Sequence, residues 1–378
     1  MSAGNVPGPE DRAAHPLELF FDLVFVYAIT QVVSMLVHDL TPAGFGKAAL
    51  VFWMVWWAWS QYTWSTNGSD IDDIRERVGL LAATAVTFFM AQSVPTAFSE
   101  DAAWFALPYA GTRALSLALY WIGVKDDPVY RKAYLSYLPI TALGLVIAGA
   151  GGFFPMPARI WVWMAAIVAD LLATQLAQAG DWALKAGHFA ERHGLIVIIA
   201  LGESIIAVGV ASSAAERTAT LATSIGLGVV LSCLLWWSYF DEWWQRGEAW
   251  LAAEPVASRG EWGRNLYSWM HYPLMAGIIA LAVAVEEIIA HPHDRLDLPV
   301  AIALAAGLAL YLGSIAVNAF WARRIVLTAR LVAIGGVAVV AFVLSSLTGL
   351  VVLAVTTVAV FFVAVSERRT AALARAAR

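Results

Sequence analysis

The sequence predicts an all-α protein, a polytopic membrane helix bundle of about twelve transmembrane helices arranged as two parallel six-helix repeats. Three observations carry that expectation. Hydrophobic residues fill 61% of the 378 positions and charged residues only 13%, whereas a soluble domain has about half its residues apolar and about a quarter charged. Apolar runs of the ~20 residues needed to cross a bilayer recur from end to end, and they do not alternate as barrel strands would. Two landmarks also recur. Asp22 aligns with Glu203, and Trp56-Trp57 with Trp236-Trp237, at offsets that differ by one residue.

In chain order, residues 1–14 are Pro/Gly-rich and too polar for a signal peptide, so a disordered tail is expected. Spans are expected over 17–37, 46–65, 78–98, 103–122, 135–152 and 160–178 in a first repeat covering 15–185. A second repeat, 186–368, holds spans over 194–213, 219–239, 268–290, 298–320, 329–347 and 350–366, and 369–378 is a cytoplasmic tail. Equivalent spans are six apart, so the repeats share one orientation about an axis along the membrane normal. The link at 179–192 is charged, and the longest internal loop is 245–267. With the N-terminus inside, eighteen of the 23 Lys and Arg residues fall on the inner side, Arg192 and Arg330 among them. Four fall outside, and Arg113 lies within a span. The positive-inside rule then places both termini in the cytoplasm and favours an even number of spans.

Glu18-Leu19-Phe20-Phe21-Asp22-Leu23-Val24-Phe25-Val26-Tyr27-Ala28-Ile29-Thr30 opens the first span with two carboxylates one helical turn apart. A charge at the depth of Asp22 costs about 2.5–3.5 kcal/mol on insertion scales, so it marks a functional or pairing residue. The intramembrane set is Asp22, Arg113, Asp170 and Glu203, with Glu18 near the inner boundary and Glu286 and Glu287 near the outer one. These side chains are expected to face the bundle interior or a wet cavity. They form either a proton or cation path, with Arg113 as counter-ion or anion clamp, or a structural ion-pair lock. Asp22, Val26, Ile29 and Val33 share one face, as a pore lining with a hydrophobic gate or as ordinary packing. The Trp clusters of spans 2 and 8 read as interfacial belts or core packing. The deeper pair, Trp57 and Trp237, has a second reading as the wall of an apolar or cationic ligand site. His193 leads into the seventh span and joins the pathway candidates.

These motifs carry a resemblance. Glu18–Thr30, Trp56-Trp57-Ala58-Trp59 and Glu191-Arg192-His193-Gly194…Leu201-Gly202-Glu203 together resemble the bacterial low temperature requirement protein A family over nearly the whole length. The resemblance implies a bacterial inner-membrane protein linked by name to growth in the cold, with no settled activity. More faintly, Phe21-Asp22-Leu23-Val24-Phe25…Ala28-Ile29-Thr30 is similar to the motif opening helix 1 of endolysosomal potassium/proton channels, which are also built from six-helix repeats. Phe21 stands where that motif has Ser, and Leu23 where it has Gly.

Other motifs mostly exclude. Asn67-Gly68-Ser69-Asp70-Ile71-Asp72-Asp73 is similar to the Asp-rich, Mg²⁺-binding loop of membrane prenyltransferases, but the loop after span 6 offers only Asp181 as a second half. Glu287…His291-Pro292-His293-Asp294 has metal-ligand spacing without enough ligands. Three of the four lysines lie in expected loops, Lys47 lies at the outer edge of the second span, and only His271 among the histidines enters an expected span, which argues against a retinal Schiff base and a bis-histidine haem. There is no phosphate-binding Gly-rich loop, no basic nucleic-acid surface, and a single cysteine, Cys233. No catalytic residue, metal or cofactor is therefore expected, and the partners are the lipid bilayer and a small solute or ion, with a homo-oligomer left open. The function expected is proton-coupled secondary transport, with Asp22 and Glu203 titrating and Asp170 and Arg113 completing the polar centre. The alternatives are a cation or proton channel lined by spans 1 and 7, and a lipid-modifying enzyme using the Asp-rich loop.

Overall fold

The structure is a computed structural model that describes residues 14–67, 73–176, 184–213, 216–343 and 347–376. The expected tail lies outside them except for Ala14, as do Asp70, Asp72 and Asp181. The α-helices are α1 (Pro16–His38), α2 (Pro42–Asn67), α3 (Ile74–Gln92), α4 (Ala103–Val124), α5 (Pro128–Gly151), α6 (Ala158–Leu176) and α7 (Ala186–Ser213). They continue with α8 (Ala219–Phe240), α9 (Trp243–Ala253), α10 (Val256–Gly263), α11 (His271–Ala290), α12 (Leu298–Arg323), α13 (Thr328–Val343) and α14 (Gly349–Ala376). A π-helical segment, Arg264–Trp269, follows α10. The β-bridge between Arg295 and Thr348 is isolated.

Each of the twelve predicted spans falls on one of these helices. Stretches on α1, α5, α6, α7, α8, α11, α12 and α14 are long and apolar enough to cross a bilayer, and α13 is a shorter apolar helix. This is a polytopic helical membrane protein. Local chemistry sets several starts. The Asp73 and Asp127 carboxylates and the Thr218 hydroxyl accept from backbone N–H groups in the first turns of α3, α5 and α8, and Pro16, Pro42 and Pro128 open α1, α2 and α5. Several boundaries differ from expectation, among them the end of α3 at Gln92 and the start of α5 at Pro128. α7 begins at Ala186, so Glu191, Arg192 and His193 are helical; the 245–267 loop carries α9, α10 and the π segment; and α14 runs to Ala376.

The chain forms two compact units. Unit 1 comprises Met1–Met35, Pro42–Ile196 and Gly247–Trp269, and unit 2 the remainder, so the division falls within α1, α7 and α9. In unit 1, α3 packs on α4, α4 on α5, α5 on α6, and α2 on α4 and α6. The Trp-rich α2 is its core: Trp56, Trp57 and Trp59 are buried, in line with the core-packing alternative for these residues. Trp56 Nε1 donates to the Ser268 carbonyl at 2.7 Å and Trp64 Nε1 to the Ser268 hydroxyl at 2.9 Å, fastening the π segment to α2. Large apolar side chains such as Phe89, Trp104, Val146 and Trp161 point outward, as lipid-facing surfaces require.

In unit 2, α11 packs on α12, α12 on α13, α13 on α14, and α14 on α8. The α11–α12 crossing depends on two glycines. A Cβ on Gly277 would lie 2.7 Å from the Gly307 carbonyl and from the Tyr311 nitrogen, and one on Gly307 would lie 2.9 Å from the Leu281 nitrogen. Backbones this close exclude any side chain. Gly277→Val is expected to lower the stability of detergent-solubilised protein by about 1–3 kcal/mol, the usual cost of overpacking. Gly335→Val, where an added Cβ meets open space, is expected to change it little. Thermal unfolding of the two variants checks the contrast.

Candidate functional site

Glu18 and Asp22 stand four residues apart on α1, and His188 and Arg192 stand four apart on α7. Each pair therefore lies on one face. The two faces meet. The Arg192 guanidinium spans both carboxylates: Nη2 donates to Asp22 Oδ1 at 2.7 Å, and Nη1 makes a short bond to Glu18 Oε1. Nη1 also reaches the Thr66 hydroxyl at 3.2 Å. Glu18 Oε2 lies 2.9 Å from His188 Nε2 and accepts from the His15 backbone N–H at 2.9 Å, closing the N-terminus of α1. Asp22 Oδ1 accepts a second bond, from Trp59 Nε1 at 2.8 Å. Asn67 ties the end of α2 to the same place, accepting from the Lys185 N–H at 2.6 Å and contacting His188 Nδ1 at 3.2 Å. Asp22 is 0% and Arg192 1% exposed, and Asp22 Oδ2 has no donor among the described residues. His193 is buried beside this group, its Nδ1 2.8 Å from the Phe189 carbonyl and its ring packed on Trp56, Trp59 and Tyr267.

A second buried group joins α4, α5 and α6. Arg113 pairs with Asp170 through two parallel bonds, Nη1 to Oδ2 at 2.9 Å and Nη2 to Oδ1 at 2.8 Å, the planar fork geometry that only arginine offers. Its remaining bonds go to the Tyr109 and Thr141 hydroxyls, each at 2.9 Å. The close approach of α6 to α5 relies on Gly144, where a Cβ would stand 3.2 Å from that of Ala169 and 3.4 Å from Asp170 Oδ1. From this pair a chain of polar side chains leads on. Thr141 Oγ1 lies 3.2 Å from Asp170 Oδ1 and 3.1 Å from the Tyr137 hydroxyl, which donates to Gln61 Oε1 at 2.8 Å. Tyr137 and Gln61 form part of the wall of a cavity of about 60 Å³, together with Trp57, Trp64, Tyr120, Thr174, Gly260, Glu261, Arg264 and Ser268. All these residues belong to unit 1.

The structure thus groups Glu18 with Asp22, Arg113 with Asp170, and Trp57 with the cavity. It does not merge the first two groups, which share no hydrogen bond among the described residues; the Phe21 and Tyr62 rings, 4.4 Å apart, lie between them. Glu203, on the part of α7 that belongs to unit 2, is half-buried. Trp237, also in unit 2, is 39% exposed with the Arg368 guanidinium 5.4 Å over its ring, and it is not among the residues that line the unit 1 cavity. Glu286 and Glu287 are half-buried on α11. Of the Asp-rich loop, Asp73 is the described aspartate, and it caps α3. His291 and Asp294 are exposed, 3.8 Å apart.

The model of one family, described as bacterial low temperature requirement A protein (LtrA), matches residues 13–365. The chain belongs to the LtrA family. A similar protein from Rhizobium meliloti (strain 1021), described as uncharacterized protein RA0937, is 29% identical over 334 residues, 84% of this chain and 78% of that one. No solved structure matches.

In this LtrA chain the residues that sequence reasoning missed are the partners. Arg192, counted as an inner-loop charge, is the buried cation of the first group. Arg330, counted likewise, is buried in α13, its Nε and Nη2 bonded to Glu367 at 2.8 and 2.9 Å. His188 and His193 are buried with His271, where one histidine was expected within a span. The available signal was spacing: His188 and Arg192 repeat the four-residue interval of Glu18 and Asp22. Arg113→Leu is expected to cost about 3–5 kcal/mol, because Asp170 is then buried without a counter-charge. The double variant Arg113→Leu/Asp170→Leu is expected to recover most of that loss. Unfolding temperatures of both singles and the double, read as a cycle, check this.

Proposed function

We propose that this LtrA-family protein is a proton-coupled secondary transporter of a small solute, with the unit 1 cavity as the solute site. The observation that carries the reading is the unbroken chain from the cavity wall to a buried carboxylate, Tyr137–Thr141–Asp170, with no step longer than 3.2 Å. A hydroxyl both accepts and donates, so a proton taken up by Tyr137 at the cavity is matched by one passed to Thr141 and one delivered from Thr141 to Asp170 Oδ1. For this the Tyr137 O–H turns from Gln61 to Thr141. Protonation of Asp170 leaves Arg113 as a buried cation without its counter-ion, which costs several kcal/mol. That is enough to shift an equilibrium between two arrangements of α4, α5 and α6.

Asp22 and Glu203 enter this reading as equivalent positions of two parallel six-helix repeats, 15–185 and 186–368, in an inner membrane with both termini cytoplasmic. A cation channel along spans 1 and 7 has less support, since Arg192 would place a fixed positive charge in the ion's way. An enzyme using the Asp-rich loop has less support because Asp73 is engaged by the Arg75 N–H.

The test is current from proteoliposomes on a solid-supported membrane after a pH step, a stimulus that needs no known solute. Wild-type protein is expected to displace charge, and Tyr137→Phe, which keeps the ring and removes the relay hydroxyl, to reduce the current at least tenfold. Unchanged current in Tyr137→Phe, or none in folded wild-type protein, overturns the reading.

A further inference from the structure

We infer that the unit 1 cavity takes a small zwitterion, its ammonium end against the aromatic wall and its carboxylate end at Arg264; this names the substrate class for the transport reading and rests on it. Size sets the first limit. About 60 Å³, at roughly 10–15 Å³ per water-sized group, holds about four to six heavy atoms. Charge sets the second. The wall presents the rings of Trp57, Trp64, Tyr120 and Tyr137 with one carboxylate, Glu261, and one guanidinium, Arg264.

Ring faces attract a cation, and an exposed Glu261 adds to that attraction. A simple cation would nonetheless meet Arg264, and a simple anion would meet Glu261 and the negative ring faces. A molecule carrying both charges satisfies the carboxylate and the guanidinium together. Arg264 is held in place before any ligand arrives: Nη1 donates to the Thr174 carbonyl at 3.0 Å, Nε to Asn265 Oδ1 at 3.2 Å, and the guanidinium lies 5.2 Å from the Trp269 ring. Such fixing lowers the ordering cost of binding. Trp57 forms part of the wall and is 1% exposed, so its ring is held by packing before any ligand arrives.

The experiment compares three zwitterions within this size (glycine, sarcosine and β-alanine) with methylammonium and acetate, the two separated halves, at equal concentration on the purified full chain. Tryptophan fluorescence and thermal unfolding are the readouts. At least one zwitterion is expected to quench the fluorescence and raise the melting temperature, with neither half doing so. Glu261→Gln, at an exposed position that leaves the fold intact, and Arg264→Gln are each expected to weaken that binding at least tenfold. No response to any zwitterion, an equal response to either half, or binding indifferent to both variants overturns the inference. Zwitterion binding without a pH-driven current upholds the site and overturns the transport reading. A pH-driven current with no zwitterion binding overturns the site alone.

Discussion

Arg192 reaches from α7 to α1 and holds Glu18 and Asp22 at once. In a bundle so poor in charge, a carboxylate removed from water is tolerated only beside a cation that has left water with it. The two four-residue intervals fix the register: slide α7 by one residue against α1, and Arg192 faces neither acid. Trp59, Thr66 and Asn67 bring α2 into the same contact. Three helices are thereby joined in unit 1 by one guanidinium and its partners.

The Arg113–Asp170 pair obeys the same rule with a different outcome. A buried ion pair is not in itself a source of stability, since apolar residues of matching volume often do as well or better. Packing alone therefore does not account for a fork-shaped pair bonded to two hydroxyls, one of which leads on to a cavity. Pro139 lies between Tyr137 and Thr141 on α5, where it removes one helical N–H donor without interrupting the polar chain. Side chains that connect an interior charge to a space large enough for a small molecule are better explained by chemistry at that space.

The helices were legible because apolar runs register in a hydropathy reading whether they face lipid or core. Where lipid and core make different demands, composition could not distinguish them. The tryptophans of α2 have the makeup of an interfacial belt and are core, while Trp236 and Trp237 are partly exposed. Glu191-Arg192-His193 lowers hydropathy as a loop would, so the start of α7 was placed too late. The positive-inside count then treated Arg192 and Arg330 as free loop charges, because a sum over charges carries no information about partners. Asp22, Arg113 and Asp170 were recognisable as expensive charges in apolar surroundings. Their pairing belongs to the tertiary structure, and of it only the matched spacing on α1 and α7 was visible in one dimension.

Between the two polar groups lies an aromatic contact that decides how one can influence the other. Tyr62 packs on Phe21, the residue before Asp22, and its hydroxyl donates to the Thr112 carbonyl at 2.6 Å, the residue before Arg113. A ring face passes no proton, and neither does a backbone carbonyl. A proton on Asp170 therefore has no hydrogen-bonded route to Asp22 through this contact. Displacement has one: if the turn of α4 that carries Arg113 moves when its counter-charge is lost, Tyr62 is drawn with the Thr112 carbonyl and pushes on the α1 turn that carries Asp22. Coupling between the groups in unit 1 is then mechanical, through two packed rings in a close-packed interior that transmits strain. The Phe21–Tyr62 contact thus separates Asp170 from Asp22 for protons while it packs the helices that carry them.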